Sequence, residues 1–195
     1  MHMKKSLFGI FVLGLVALTM NSCMYNSLVA SEESVEAAWS QVENQYQRRA
    51  DLVPNLVATV KGYAAHEQQT LEGVMEARAK ATQITIDPAH ATPEQLAAYQ
   101  KAQGELSQAL GRLMAVAESY PDLKANENFM SLQTQLEGTE NRCTIARQQY
   151  NDIAREYNTK VRRFPSNIVA MIFGFEKKPY FEADEDAKQA PKVEF

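Results

Sequence analysis

The sequence predicts an all-α protein, an up-and-down bundle of about four long helices. Three observations carry this. Apolar residues step by three and four through most of the chain, no long window alternates as a strand would, and the helix breakers fall mostly between the periodic stretches. Only 8 Gly and 7 Pro occur in 195 residues, as a helical chain requires.

The chain opens with Lys4 and Lys5 and then runs from Leu7 to Met20 without a charged residue. A run of about 14 residues fits the hydrophobic region of an export signal and falls short of the roughly 20 needed to cross a bilayer as a helix. It ends in Ser22-Cys23, which resembles a bacterial lipoprotein cleavage site, where the cysteine thiol takes the lipid and becomes the new N-terminus. Residues 1–22 therefore read as a lipoprotein-type signal segment, Cys23 as the lipidation site and 23–30 as anchor and linker. A retained short anchor and an ordinary cleaved signal are the other readings. All three put the rest of the chain outside the cytoplasm, in the cell envelope.

From Val35 the apolar series runs Trp39, Val42, Tyr46, and a second runs Val53, Leu56, Val60, Ala64, Leu71, Val74. The two share one phase, which permits a single helix kinked at Pro54. Such a helix to Thr82 would be roughly 78 Å long, and its first half would find few partners. A reversal near Asp51–Pro54 instead gives helices over 31–52, 54–82, 93–118 and 126–163, of about 33, 42, 39 and 57 Å, which can cover one another. Thr92-Pro93-Glu94-Gln95 marks a helix start by an N-cap threonine, a proline at the first turn and a capping-box glutamine. Pro121 ends the third helix, Asn126 can cap the fourth, and Phe164-Pro165 ends it. Four alternating helices return the chain to the anchor side at Phe164. One continuous helix from Ser31 to Thr82 would leave it at the far end.

After the fourth helix comes an apolar segment, 165–181, containing Ile168, Ile172, Phe173 and Phe175, followed by Lys177 and Lys178. It can cap the end of the bundle, or it can touch lipid or a partner with those six residues. Residues 182–195, with Glu182, Asp184, Glu185 and Asp186, read as a disordered acidic tail.

The composition, 45% hydrophobic and 23% charged, is that of an ordinary globular domain. A net charge of -4 provides no broad basic field, so nucleic acid is not an expected partner. Cys23 closes the leader and Cys143 lies in a helical core pattern, which argues against a disulfide between them. His66-Glu67-Gln68-Gln69-Thr70 lacks the second histidine that a zinc-protease helix needs one turn on. Cys143 lies on an apolar seam, where a nucleophile would need a base and an electropositive setting. No Gly-rich phosphate loop and no Glu-x-x-His iron motif occurs, so neither a cofactor, a metal nor catalysis is expected.

Charges on or beside the apolar stripe are more informative. Arg49 and Arg78 stand where the seam would place apolar residues, and Glu118, Glu140 and Arg147 lie close to their own seams, with Arg48 and Asp51 alongside. Buried charges need partners. These groups therefore form an internal network that sets helix register, with Glu140 the first candidate partner, or else they line a groove for a ligand or peptide.

The polar words between the apolar steps resemble the LemA family: Tyr25-Asn26-Ser27-Leu28-Val29, Arg48-Arg49-Ala50-Asp51-Leu52-Val53-Pro54-Asn55-Leu56, Lys61-Gly62-Tyr63 and Ala77-Arg78-Ala79. Tyr120-Pro121-Asp122-Leu123-Lys124-Ala125-Asn126, Thr139-Glu140-Asn141, Ala146-Arg147, Tyr150-Asn151, Tyr157-Asn158 and Phe164-Pro165-Ser166-Asn167 continue the pattern, so that the resemblance spans about Tyr25 to Phe181. It implies a membrane-anchored helical bundle outside the bacterial cytoplasm and brings no biochemical activity with it. Expected partners are membrane lipid through the N-terminus and an unidentified membrane or envelope protein. The function expected is a non-catalytic binding or scaffolding module. The alternative is an accessory factor for envelope proteolysis or peptide handling.

Overall fold

The computed structural model describes residues 2–182, with side chains from Ser22 onward. The expected signal segment falls almost wholly outside the described side chains, and 183–195 of the expected tail lie outside the described residues. The fold is all-α, with no strand among the described residues. Its elements are α1 (His2–Lys61), α2 (Gln68–Gln83), α3 (Pro93–Ala117), α4 (Pro121–Lys124), α5 (Glu127–Arg162) and α6 (Ser166–Phe173).

The expected break at Pro54 is absent, because α1 runs through it. Proline has no N–H, so in a helix the carbonyl four residues earlier loses its donor. Here that carbonyl belongs to the buried Ala50, and Arg78 Nε of α2 donates to it at 2.8 Å. A guanidinium from the next helix thus takes the place of the missing amide. The reversal comes instead at Gly62–Glu67. Gly62 N and Tyr63 N bond Thr59 O and Val60 O in tightened turns, and α2 starts at Gln68. This pairing predicts a double-mutant cycle. Arg78→Ala should cost about 1–3 kcal/mol by stranding a buried carbonyl. In a Pro54→Ala background, where residue 54 supplies its own N–H, most of that cost should vanish. Equal costs in both backgrounds, by denaturant unfolding, would refute the substitution of one donor for the other.

The length argument against a long first helix fails because α1 has partners along its course. The upper core joins Val53, Leu56 and Val60 of α1 to Leu71 and Val74 of α2, Leu106 and Leu113 of α3, and Phe129 of α5. The lower core joins Val35, Trp39, Val42 and Tyr46 to Cys143, Tyr150 and Tyr157 of α5. Ile86 of the loop after α2, Leu96 and Tyr99 of α3, and Phe181 complete it. Residues 23–30 are likewise no linker: α1 continues through them, and Leu28 is buried against Val169 and Ala170 of α6.

The remaining boundaries follow local chemistry. Thr92 and Gln95 form the reciprocal capping box, with Gln95 N donating to Thr92 Oγ1 and Thr92 N to Gln95 Oε1. Asn126 Oδ1 accepts from Phe129 N at 3.0 Å and caps α5. Pro121 does not directly end α3, which stops at Ala117; it opens the short α4. The four long helices α1, α2, α3 and α5 still alternate in direction, so α5 returns toward the start of α1 and α6 packs beside Tyr25 and Leu28.

Candidate functional site

Two features could carry function: buried charged groups inside the bundle, and the face around α6.

Arg49 is the centre of the first. Its side chain is 2% exposed, and Nη1 donates to Glu140 Oε2 at 2.5 Å and Ser107 Oγ at 2.7 Å. Nη2 donates to Gln103 O at 3.0 Å and Gln103 Oε1 at 2.7 Å, and the guanidinium lies over the Tyr46 ring. Helices α1, α3 and α5 are tied through one cation. Of the other charges named from sequence, Arg147 touches the edge of this cluster through a side-chain hydrogen bond to Tyr46. Arg48 and Asp51 are exposed, with Asp51 bonded by Gln47, and Arg78 serves Ala50 O with no acidic partner among its described bonds. Glu118 pairs with Lys124 at the surface, and Arg147 lies over the Phe181 ring, with Nη2 donating to Glu182 O at 3.4 Å. Gln103 and Ser107, which complete the Arg49 shell, are uncharged and so carried no signal in a search for paired charges.

Burial also sets the acid–base character of the lower core. It pushes the Cys143 thiol up to about 11, with the nearby Arg49 opposing this, which argues against a thiolate nucleophile. Tyr46 and Tyr150 are pushed up to about 12, and Tyr99 and Tyr157 are also raised, all chiefly by burial. Among the described residues no three of His, Cys, Asp and Glu gather as metal ligands, and His66 sits exposed in the turn before α2.

Beyond α6 the chain turns back. Gly174, at φ 76°, takes the left-handed conformation that a side chain would resist, and Phe175 N closes on Ala170 O. Residues 175–182 then run as a strap along α5, held by side-chain amides. Asn158 bonds both the N and the O of Lys178, each at 2.8 Å, and Asn151 bonds both the N and the O of Phe181, each at 2.9 Å. Seven helical residues advance about 10.5 Å and three extended residues about 10 Å, so the two amides meet the strap in register. Gln100 of α3 holds Glu182 N and O in the same way. Phe181 stacks on Trp39, with centroids 5.8 Å apart. The segment 165–181 therefore does more than cap the bundle, and Glu182 belongs to the strap, not to a free tail. The signal for it was present in the repeat Tyr150-Asn151, Tyr157-Asn158, whose spacing of seven puts both amides on one helical face.

Lys178 corrects an expectation directly. It is buried, donating to Glu32 Oε1 and Ala89 O, each at 2.7 Å, beneath the Tyr157 ring. It cannot face lipid headgroups, whereas Lys177 is exposed. Phe175 is half-buried against Leu28 and Tyr25. Around α6 the chain presents a bare apolar face: Phe164 is 75% exposed, Met171 79%, Ile172 68%, Phe173 59% and Ile168 45%. Single exposed apolar groups are ordinary, but five together form a patch of the kind that marks contact sites.

Comparison with known proteins adds a family. A model of the LemA family matches residues 38–195. The chain is 31% identical over 195 residues to magnetosome protein MamQ 1 of Paramagnetospirillum magneticum, covering 91% of this chain and 72% of that protein. It is similar at 31% identity over 193 residues to magnetosome protein MamQ of Magnetospirillum gryphiswaldense, covering 90% and 71%. Protein LemA of Metamycoplasma hominis is 26% identical over 160 residues, covering 82% of this chain and 69% of its own length.

Proposed function

Since the chain belongs to the LemA family, we propose that it is a non-catalytic helical module of the bacterial cell envelope, held to a membrane by its N-terminus, that binds or scaffolds other membrane or envelope proteins. One observation carries this reading. Helix α1 passes from the leader into both cores without a break, so whatever holds the leader holds the whole bundle in a set orientation. A flexible linker would allow a tethered domain to roam; a continuous helix displays its faces at defined heights. Cys23, exposed just before Tyr25, carries the lipid on this reading. Among the described residues no helix is long and apolar enough to cross a membrane.

The buried charges support a structural role for the polar groups. Arg49 and Lys178 are buried, with both Nη atoms of Arg49 and the Lys178 Nζ bonded inside the bundle, which leaves neither available to a substrate. The relatives above are named for a cell structure or for the family itself, not for a reaction. The rival reading, an accessory factor for peptide handling, draws on the strap, because amides that hold an extended backbone are one way to hold a peptide.

A photo-crosslinker placed at Ile145, an exposed apolar position of α5, and pull-down from intact membranes tests the proposal. One or a few discrete envelope proteins captured reproducibly is the expected result. Capture of many unrelated unfolded chains would favour peptide handling, and no captured protein would overturn the scaffold reading.

A further inference from the structure

We propose that α6 is an interfacial helix whose exposed face, Phe164, Ile168, Met171, Ile172 and Phe173, sits in the headgroup region of the bilayer that holds the N-terminus. The inference rests on the membrane-held reading above and adds a second contact to it.

The position of α6 along α1 carries the argument. Val169 and Ala170 pack on Leu28, and Phe173 meets Tyr25 with ring centroids 4.8 Å apart. Tyr25 is five residues past Met20, where the apolar run ends, which is about 7.5 Å of helix. It is two residues past Cys23, where acyl chains would attach. Whether the leader is retained or is cleaved and replaced by lipid, the bilayer surface falls at this level of α1. The apolar face is thus continuous with the anchor, not merely exposed somewhere on the domain.

The composition of the helix agrees. Ser166–Phe173 is apolar nearly all round, and a helix of that kind normally has every face covered. The bundle covers only Val169 and Ala170. Ile168 and the pair Met171–Ile172 repeat at three and four residues, which places them on one stripe of α6, and Phe164 is exposed in the turn just before it. Arg162, Arg163 and Lys177 are exposed at its edges, against the single carboxylate Glu176 in that stretch, a balance that suits anionic lipid. A second contact also answers a physical need, because one lipid chain alone holds a protein only weakly.

The test uses the full chain reconstituted into phosphatidylcholine–phosphatidylglycerol vesicles whose acyl chains carry bromine close to the headgroup. The single native tryptophan, Trp39, is buried in the bundle and provides a constant background. Met171→Trp places an indole on the proposed face. Met130→Trp places one on an exposed position near the start of α5, about 48 Å along that helix from its end. Both are surface positions, so folding should survive, and circular dichroism checks it. Sedimentation with the vesicles shows that the protein is membrane-bound, and quenching is read on that fraction. For sedimenting protein, the expected result is strong loss of the Met171→Trp emission to brominated lipid, with protection from aqueous acrylamide, and the reverse for Met130→Trp. Equal acrylamide quenching of the two, with no effect of bromine, would overturn the proposal while leaving the membrane-held reading intact. Shielding of the Met171→Trp indole from both quenchers would also overturn it, by showing that protein covers the face.

Discussion

Raising the pH from about 8 to about 11 is expected to remove several kcal/mol of stability, a large share of the roughly 5–15 kcal/mol that holds a typical domain. The cause is the lower core. Burial raises Cys143 to about 11 and Tyr46 and Tyr150 to about 12, and it also raises Tyr99 and Tyr157. In the unfolded chain the thiol titrates near 9.0 and the phenols near 10.0. Between those values and the raised ones the folded state binds more protons than the unfolded state, so stability must fall as pH rises. It is fully present below about pH 8.5 and is lost progressively toward the folded values. Each phenol loses about 1.4 kcal/mol per pH unit once past its unfolded value. Denaturant midpoints measured at intervals across this range check the slope. A midpoint that stays level to pH 11 would show that these rings are reachable by water.

Glu140→Ala is expected to destabilise the domain by about 3 kcal/mol, because it leaves the buried Arg49 cation without a counter-ion. The geometry makes the pair unequal. Arg49 is 2% exposed, and the Glu140 side chain is 50% exposed, so the carboxylate can return to water but the guanidinium cannot. Ser107 and Gln103 still accept from Arg49 in the variant, which places the expected cost at the lower end of the range for a broken buried pair. Replacing the cation as well, in Glu140→Ala/Arg49→Met, should recover part of the loss, since an apolar side chain of similar length needs no partner. Urea unfolding of the wild type, the single variant and the double variant decides it. A double variant less stable than Glu140→Ala would mean that Arg49 contributes through its oxygen acceptors more than it costs through its charge.

Much of the molecule was legible from residue order. The three-and-four stepping of Trp39, Tyr46, Leu106 and Tyr150 announced helices, because a face that repeats every 3.6 residues can be buried only as a helix. Thr92, Gln95 and Asn126 announced two starts, because capping is chemistry between residues three apart. The place of Arg49 among apolar steps announced a buried cation, and Glu140 is the carboxylate it meets.

What the residue order left open depended on neighbours distant in the chain. Pro54 reads as a breaker, and only the approach of Arg78 to Ala50 O makes an unbroken helix affordable there. Lys178 reads as a surface base, and only Glu32 and Ala89, 146 and 89 residues earlier, turn it into a buried tie. The strap reads as loose apolar chain, and its course is decided by Asn151, Asn158 and Gln100 bonding its backbone. Local order thus determined where helices form, since their bonds close within four residues. Tertiary structure decided which polar groups are spent inside and which face remains bare, since those outcomes depend on partners that only folding brings together.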